Sequence, residues 1–276
     1  MSQPKVSVII ATYNRPQFVG SAIQSVLEQS FGDFEIIVVD DSTNDETKEV
    51  MEEWLKRDKR IRYFKPGHAG RIAIVSNIGL RECRGAYVAI LDDDDYWTDK
   101  EKLAKQAGFL DDNPAYVGCG GGLVVIDERG KERGRFLKPA TDENIRKRAL
   151  IANPMANSTT LFPRETALKI RGYDETMLEF ADWDFWLKMG LQGKLRNFPE
   201  YFASYRMWER GNSFSKQHGA AVSGLRIVRR YRGRYPGFLL AIFVAWTYYA
   251  YAHFPDAVKR FANPVLSRLK KALFAR

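Results

Sequence analysis

The sequence predicts an α/β protein: a mainly parallel, three-layer sheet flanked by helices. Two observations carry this. Short apolar runs rich in β-branched residues alternate with segments whose apolar residues recur at three and four residue spacing. These strand and helix units repeat from Val6 to Asp92, the order that builds βαβ crossovers.

Val6 to Tyr13 (VSVIIATY) is a buried strand. Pro16 then stands at a helix start, and Phe18, Val19, Ala22, Ile23, Val26 and Leu27 form one apolar face. Phe34 to Asp41 is a second strand, with Ser42, Thr43 and Asn44 placed to cap a helix from Asp45 to Arg57. Ile61 to Lys65 is a third strand. Beyond the Pro66-Gly67 breaker come a helix over Ile72 to Cys83 and a fourth strand, Ala86 to Asp92. Lys100 to Leu110 reads as helix and Tyr116 to Asp127 as strand, turned by Glu128, Arg129 and Gly130. Gly118, Gly120, Gly121 and Gly122 weaken that strand, marking a bulge or a close approach of ligand or backbone. Ser158 to Phe162 and Tyr201 to Met207 are later strands, separated by a helix at Asp182 to Met189.

The 276 residues are 45% hydrophobic and 28% charged, which excludes disorder and fibrous repeats. Cys83 and Cys119 have no CxxC spacing, arguing against a disulfide framework or structural zinc. The formal net charge of +9 is unevenly divided: residues 206–276 hold 14 Lys/Arg against Glu209 and Asp256, while residues 1–205 are net −3. The division suggests a first domain, 1–216, and a basic, aromatic helical tail, 217–276. The basic excess is not interleaved with the fold, so no nucleic-acid partner is expected.

That excess flanks an apolar stretch, Phe238 to Phe254. As a helix it is about 25 Å long, short of the hydrocarbon core of a bilayer, and both flanks are positive. The expectation is a monotopic helix or re-entrant hairpin on the cytoplasmic leaflet of the inner or plasma membrane, ahead of a strained span. The alternatives are a helix packed in the protein or a homo-oligomer contact. Leu266, Leu269 and Leu273, beyond Pro264, share one face of a further amphipathic segment.

Open α/β sheets bind ligands at the carboxyl ends of their strands. There stand Thr12, Tyr13 and Asn14, then Asp40 and Asp41, then Asp92, Asp93, Asp94 and Asp95. No GxGxxG or GxxxxGK[ST] loop follows a strand, which counts against a dinucleotide-binding dehydrogenase and a P-loop NTPase. Asp40 and Asp41 suit a nucleoside's hydroxyls or base N–H, or cap the next helix. Four carboxylates on one turn repel one another unless a cation or donors sit among them, so the run is a Mg²⁺ or Mn²⁺ site on a diphosphate or else a solvated turn. Asp182 and Asp184, at a helix start in FADWDFW, are a general base or a cap.

Taken in order, VSVIIATYNRP, IIVVDDST, SNIGLRECRGAYVAILDDDD, RGYDE, ADWDFWLKM and YRM with NSFS resemble a family 2 inverting glycosyltransferase of the GT-A fold, over roughly residues 4 to 216. The resemblance implies Thr12 and Tyr13 against the base, beside Asn14, and Asp41 on base or ribose. It implies Asp92 and Asp94 as a DxD motif with Asp94 the main ligand of Mn²⁺ or Mg²⁺, Asp93 at the ribose, and Asp182 as catalytic base. The implied donor is a nucleotide-diphosphate sugar, a UDP-sugar by default. The acceptor is a glycan or lipid-linked hydroxyl. The sequence departs from the family at Ala181, where Glu is frequent and Glu179 lies nearby, at Ser76, where Arg is frequent, which shifts a phosphate contact to Arg71, and at Trp208, where His is frequent. A nucleotidyltransferase and a non-catalytic nucleotide-sugar binding protein are the rival classes.

Overall fold

The structure is a computed structural model and describes residues 3–208 and 217–254. Its elements in chain order are β1 (Val6–Thr12), α1 (Pro16–Leu27), β2 (Phe34–Asp40), α2 (Glu46–Arg57), β3 (Ile61–Phe64), α3 (Ile72–Glu82), β4 (Tyr87–Asp92) and α4 (Lys102–Asp112). β5 (Tyr116–Ile126), β6 (Glu132–Phe136), α5 (Asp142–Arg148), a 3₁₀ turn (Asn157–Thr159), β7 (Leu161–Pro163), α6 (Arg164–Lys169), α7 (Ala181–Gly190) and β8 (Lys194–Arg206) follow. Two helices complete the described chain, α8 (Gln217–Arg230) and α9 (Phe238–Ala252).

One eight-stranded sheet has the order β3-β2-β1-β4-β7-β5-β6, with β8 paired to β5. The first four strands are parallel, as their βαβ spacing predicts. β7 is antiparallel to both β4 and β5, and β5 and β8 are parallel to each other, so the sheet is mixed beyond β4. The register aligns Thr12 with Asp40 and Ala11 with Asp92. Three strands therefore end at the same height, and the polar residues after them converge.

Apolar residues cover both sheet faces because the central strands are buried throughout. Val6, Val8 and Ile10 face α1, α2 and α4, with Val19, Ile23, Met51 and Leu103 completing that core. Ile9, Ile37, Val88 and Ile90 face the other side, where α3, α7, α8 and α9 supply Leu80, Phe185, Trp186, Ile227, Val228 and Ala241. α8 and α9 thus pack on the same core as the α/β sheet.

Two local expectations are corrected. Ser42, Thr43 and Asn44 do not cap α2; its N-cap is Asp45, which makes no side-chain cap bond, because Ser42 and Thr43 are engaged with Asn14. The run Ser158 to Phe162 is not one strand: Ser158 and Thr159 lie in the 3₁₀ turn and the strand is only Leu161–Pro163. The glycines of β5 allow both a bulge and close approach. Pairing with β8 shifts register between Gly120 and Gly122, and a Cβ on Gly118 would lie 2.7 Å from Trp186. Among the described residues, no helix is long and apolar enough to cross a membrane. The amphipathic segment after Pro264 and the NSFS motif lie outside the described residues.

Candidate active site

β1 ends in buried Thr12, and half-exposed Tyr13 follows it. The Tyr13 ring stacks on His68, centroids 5.2 Å apart and 22° between planes. Asn14 turns the chain through the left-handed region (φ 50°), which its short polar side chain tolerates. Its N–H donates to Ser42 Oγ at 2.7 Å, and its Oδ1 accepts from the Thr43 N–H at 3.1 Å. Asn14 therefore joins the loops after β1 and β2.

The two aspartates ending β2 have separate tasks. Asp40 is fully buried and accepts from Tyr63 Oη (2.6 Å) and the Ser42 N–H (2.9 Å). Asp41 gathers the loop after β3, accepting from the Ala69 and Gly70 N–H groups, with His68 Nδ1 at 3.2 Å from its Oδ2. Neither caps α2.

The turn after β4 is a dense acidic cluster. Asp92 Oδ1 accepts from Asn157 Nδ2 at 3.0 Å, and the Asp92 N–H donates to Ser158 Oγ. Asp95 accepts from Ser158 Oγ at 2.6 Å and from the Arg206 N–H at 3.0 Å. Trp97 Nε1 donates to the Ser158 carbonyl at 2.7 Å, so the 3₁₀ turn is held where it positions both carboxylates. Burial, with the nearby charge of Asp94, pushes Asp92 up to about 7; Asp93 and Asp182 add to the shift. Burial pushes Asp93 up to about 6 against the opposing charge of Arg15.

Asp94 is less enclosed. Its Oδ2 accepts from Arg15 Nη1 at 2.7 Å and from Trp208 Nε1 at 2.8 Å. Arg15 Nη1 also reaches Asp93 Oδ1 at 3.2 Å. Asp93 Oδ2 and Thr12 Oγ1 are buried without a well-formed hydrogen bond among the described residues. Trp208, where the resemblance places a His, thus contacts the residue implied as the metal ligand.

The second half of the site comes from α7. Phe180 enters the helix with φ 61°, and Asp182 Oδ2 accepts from Asn153 Nδ2 at 2.6 Å. Burial raises the Asp182 carboxyl above the usual range, opposed by backbone hydrogen bonding, the Lys138 charge and the Asn153 bond. Asp184 has a different role: fully buried, it accepts from Arg230 Nη1 (2.7 Å) and Tyr231 Oη (3.0 Å), tying α7 to α8. Ala181 is buried, and Glu179 lies beside Gly219 at the start of α8.

Arg71 is the exposed N-cap of α3 and donates to the Glu175 carbonyl at 3.0 Å. Its neighbour in the fold is the RGYDE segment. There Asn77 Oδ1 accepts from the Tyr173 N–H at 2.8 Å, and Gly172 has φ +63° with no room for a Cβ, which would fall 2.3 Å from Asn77 Oδ1.

The fold thus gathers Thr12, Tyr13, Asp41, Asp92, Asp93 and Asp94 along the strand ends, with Asp182 close enough to raise Asp92. Asn14 sits between loops and Arg71 at their margin. Sequence reasoning missed Arg15, His68, Asn153 and Asn157. Arg15 and His68 had a signal: each is a cationic or imidazole side chain in a turn directly following a strand end or breaker. Asn153 and Asn157 lie in ANPMANSTT, where no periodicity distinguishes them.

An all-oxygen donor set suits Mg²⁺ or Mn²⁺. Among the described residues no three His, Cys, Asp or Glu side chains are grouped to hold a metal alone. Asp94 with Asp92 matches the sparser pattern, in which one or two carboxylates share the ion with substrate phosphates.

Comparison with known proteins gives a consistent result. The family model for glycosyl transferase family 2 matches residues 7–171. An uncharacterized glycosyltransferase of Methanocaldococcus jannaschii, MJ1057, is 30% identical over 220 residues, covering 78% of this chain and 75% of the relative. One from Haemophilus influenzae is 30% identical over 241 residues, 82% of this chain and 72% of the relative. Among solved structures, the mannosyltransferase PcManGT of Pyrobaculum calidifontis, in complex with GDP-Man and Mn²⁺, superposes with a TM-score of 0.66 at 19% identity, over 98% of this chain and 82% of its own. S. aureus TarS 1–349 with UDP-GlcNAc gives 0.63 at 19% identity, over 91% and 72%. With the family model spanning more than half of the chain and these strand-end carboxylates in place, the protein belongs to glycosyl transferase family 2 and is a glycosyltransferase.

Proposed function

We propose that the protein transfers a sugar from a nucleotide-diphosphate sugar to a hydroxyl of a glycan or lipid-linked acceptor, in one displacement that inverts the anomeric carbon. The observation that carries this reading is the placement of Asp182: it stands in the first turn of α7, accepts from Asn153 Nδ2 at 2.6 Å, and lies near enough to the aspartate turn of β4 for its charge to act on Asp92. A carboxylate with a raised pKa accepts a hydroxyl proton at neutral pH more readily than an ordinary one. Asn153 orients it.

The Tyr13 and His68 rings form an aromatic shelf beside Asp41, suited to a base and its ribose. A UDP-sugar is the favoured donor, supported by the UDP-GlcNAc complex of the similarly folded TarS. Asp94 and Asp92 would hold Mn²⁺ or Mg²⁺ together with the donor's diphosphate, and PcManGT with Mn²⁺ supports that assignment. The ion would supply positive charge against the charge building on the departing diphosphate. The cytoplasmic face of the membrane is the proposed setting.

Asp182→Asn tests the base. Transfer is expected to fall by about 10²–10⁴-fold with an unchanged melting curve and unchanged nucleotide binding. Near wild-type transfer by the folded variant sinks the assignment.

A further inference from the structure

α9 settles onto the protein with one face only. Ala241 and Ala252 are buried, and Phe238, Ile242 and Ala245 pack against the core. The opposite face is apolar yet open: Leu239 is 81% exposed, Phe243 69%, Leu240 56% and Trp246 47%. Leu239, Leu240 and Phe243 are neighbours on the helix surface. A contiguous exposed patch of large apolar side chains on a soluble surface marks an interaction site.

The charge around the patch selects the partner. Residues 226–254 contain five arginines and no Asp or Glu. Arg230 is paired with Asp174 and Asp184, and Arg226 bonds to Thr176. Arg229, Arg232 and Arg234 have no carboxylate partner among the described residues. Two of them lie on the rings of α9, the Arg229 guanidinium 5.3 Å from Trp246 and that of Arg232 5.1 Å from Phe238. The patch is thus an apolar face bordered by unneutralised guanidinium groups and an indole.

We propose that this face of α9 docks on an anionic phospholipid bilayer, with Leu239, Leu240 and Phe243 entering the acyl boundary and Arg229, Arg232 and Arg234 meeting the lipid phosphates. A second copy of the chain would bring like-charged arginines together across a twofold axis. Residues 255–276 fit the patch no better, since they hold six Lys/Arg against Asp256 and would crowd further cations onto it. α8 connects the face to the chemistry, because Arg230 and Tyr231 clamp Asp184 on the helix that carries Asp182. The lipid-linked acceptor proposed above rests on this surface, whereas the surface does not depend on the transfer reaction.

The test is sedimentation of the full chain with phosphatidylcholine vesicles, with and without phosphatidylglycerol and without any sugar nucleotide. The wild type is expected to bind the anionic vesicles, less so as salt rises. The Leu239→Glu/Phe243→Glu variant is expected to lose about tenfold or more in affinity. Arg232→Glu/Arg234→Glu, on exposed arginines, should lose comparably, and it decides the matter if the first variant fails to fold. A wild type that stays in the supernatant, or variants that sediment with it equally, overturns the proposal. So does light scattering showing a dimer that the Glu variant splits while vesicle binding persists. Retained donor hydrolysis by both variants separates failure of this surface from failure of the catalytic reading.

Discussion

Arg15 sets one positive charge against the acidic turn after β4. In the chain it is one cation before Pro16; in the fold its Nη1 bridges Asp93 and Asp94, the carboxylates a divalent ion would neutralise. Burial acts to lower its pKa, but the charges of Asp93, Asp94 and Asp92 together with the Asp93 hydrogen bond raise it above the ordinary value. A divalent ion held by Asp94, as proposed, would compete with this guanidinium for the carboxylate. Arg15→Gln is therefore expected to tighten Mn²⁺ binding in the absence of nucleotide, by about 5–50-fold, equivalent to about 1–2.3 kcal/mol. Titration calorimetry reads this directly, and an unchanged or weaker affinity would refute the competition. Arg15 was legible only as a neighbour of a strand end. Its partner carboxylates lie almost eighty residues further along the chain, and no local pattern encodes such a contact.

α4 and α7 each contain a buried charge that the catalytic reading does not use. Lys102 of α4 is wholly buried, its Nζ 4.0 Å from the centre of the Trp97 ring, and its hydrogen bond goes to Gln106 Oε1 at 2.8 Å. Burial pulls its pKa down to about 7, against smaller opposing effects of Cys119 and Asp99. The folded value lies below the unfolded one, so between pH 7 and about 10.5 the unfolded chain binds the extra proton and stability rises with pH. Lys102→Met should raise stability near pH 7 by roughly 1–3 kcal/mol and flatten that rise, as read by denaturant unfolding across the range. On α7 the sign reverses. Arg230→Met leaves Asp184 buried without its guanidinium, and a loss of about 2–4 kcal/mol is expected, discounted because Arg230 is 33% exposed. A melting temperature within experimental error of wild type would contradict it. These elements also show where the sequence was readable. The helix over 16–27 had apolar periodicity behind Pro16 and that over 72–82 followed the Pro66-Gly67 breaker, whereas the helix over 46–57 was found through capping side chains that the fold uses elsewhere. α5 and α6 are 7 and 6 residues long, too short for a period to emerge. β7 has three residues and exists because β4 and β5 both need a partner, a requirement set by tertiary pairing.

The division of charge noted in the sequence corresponds to a division of surfaces. The strand ends gather carboxylates, and α8 with its connection to α9 gathers arginines, yet both are built on one sheet and one core. The α/β class and the parallel start of the sheet were legible because each βαβ unit is local. Its mixed second half was not, since β7 comes late in the chain and inserts between strands made earlier. This late insertion bears on how the molecule is made. During synthesis β4 is complete at Asp92, but the strand that covers its outer edge ends at Pro163, about seventy residues later. Until then the nascent chain carries a hydrophobic, unpaired strand edge, the kind of edge that recruits wrong partners. Closing it requires a contact of long sequence separation, which slows folding relative to the local units before it. The three-residue strand at Leu161–Pro163 is thus the seam at which the half built on the parallel strands and the half that carries Asp182 become one molecule.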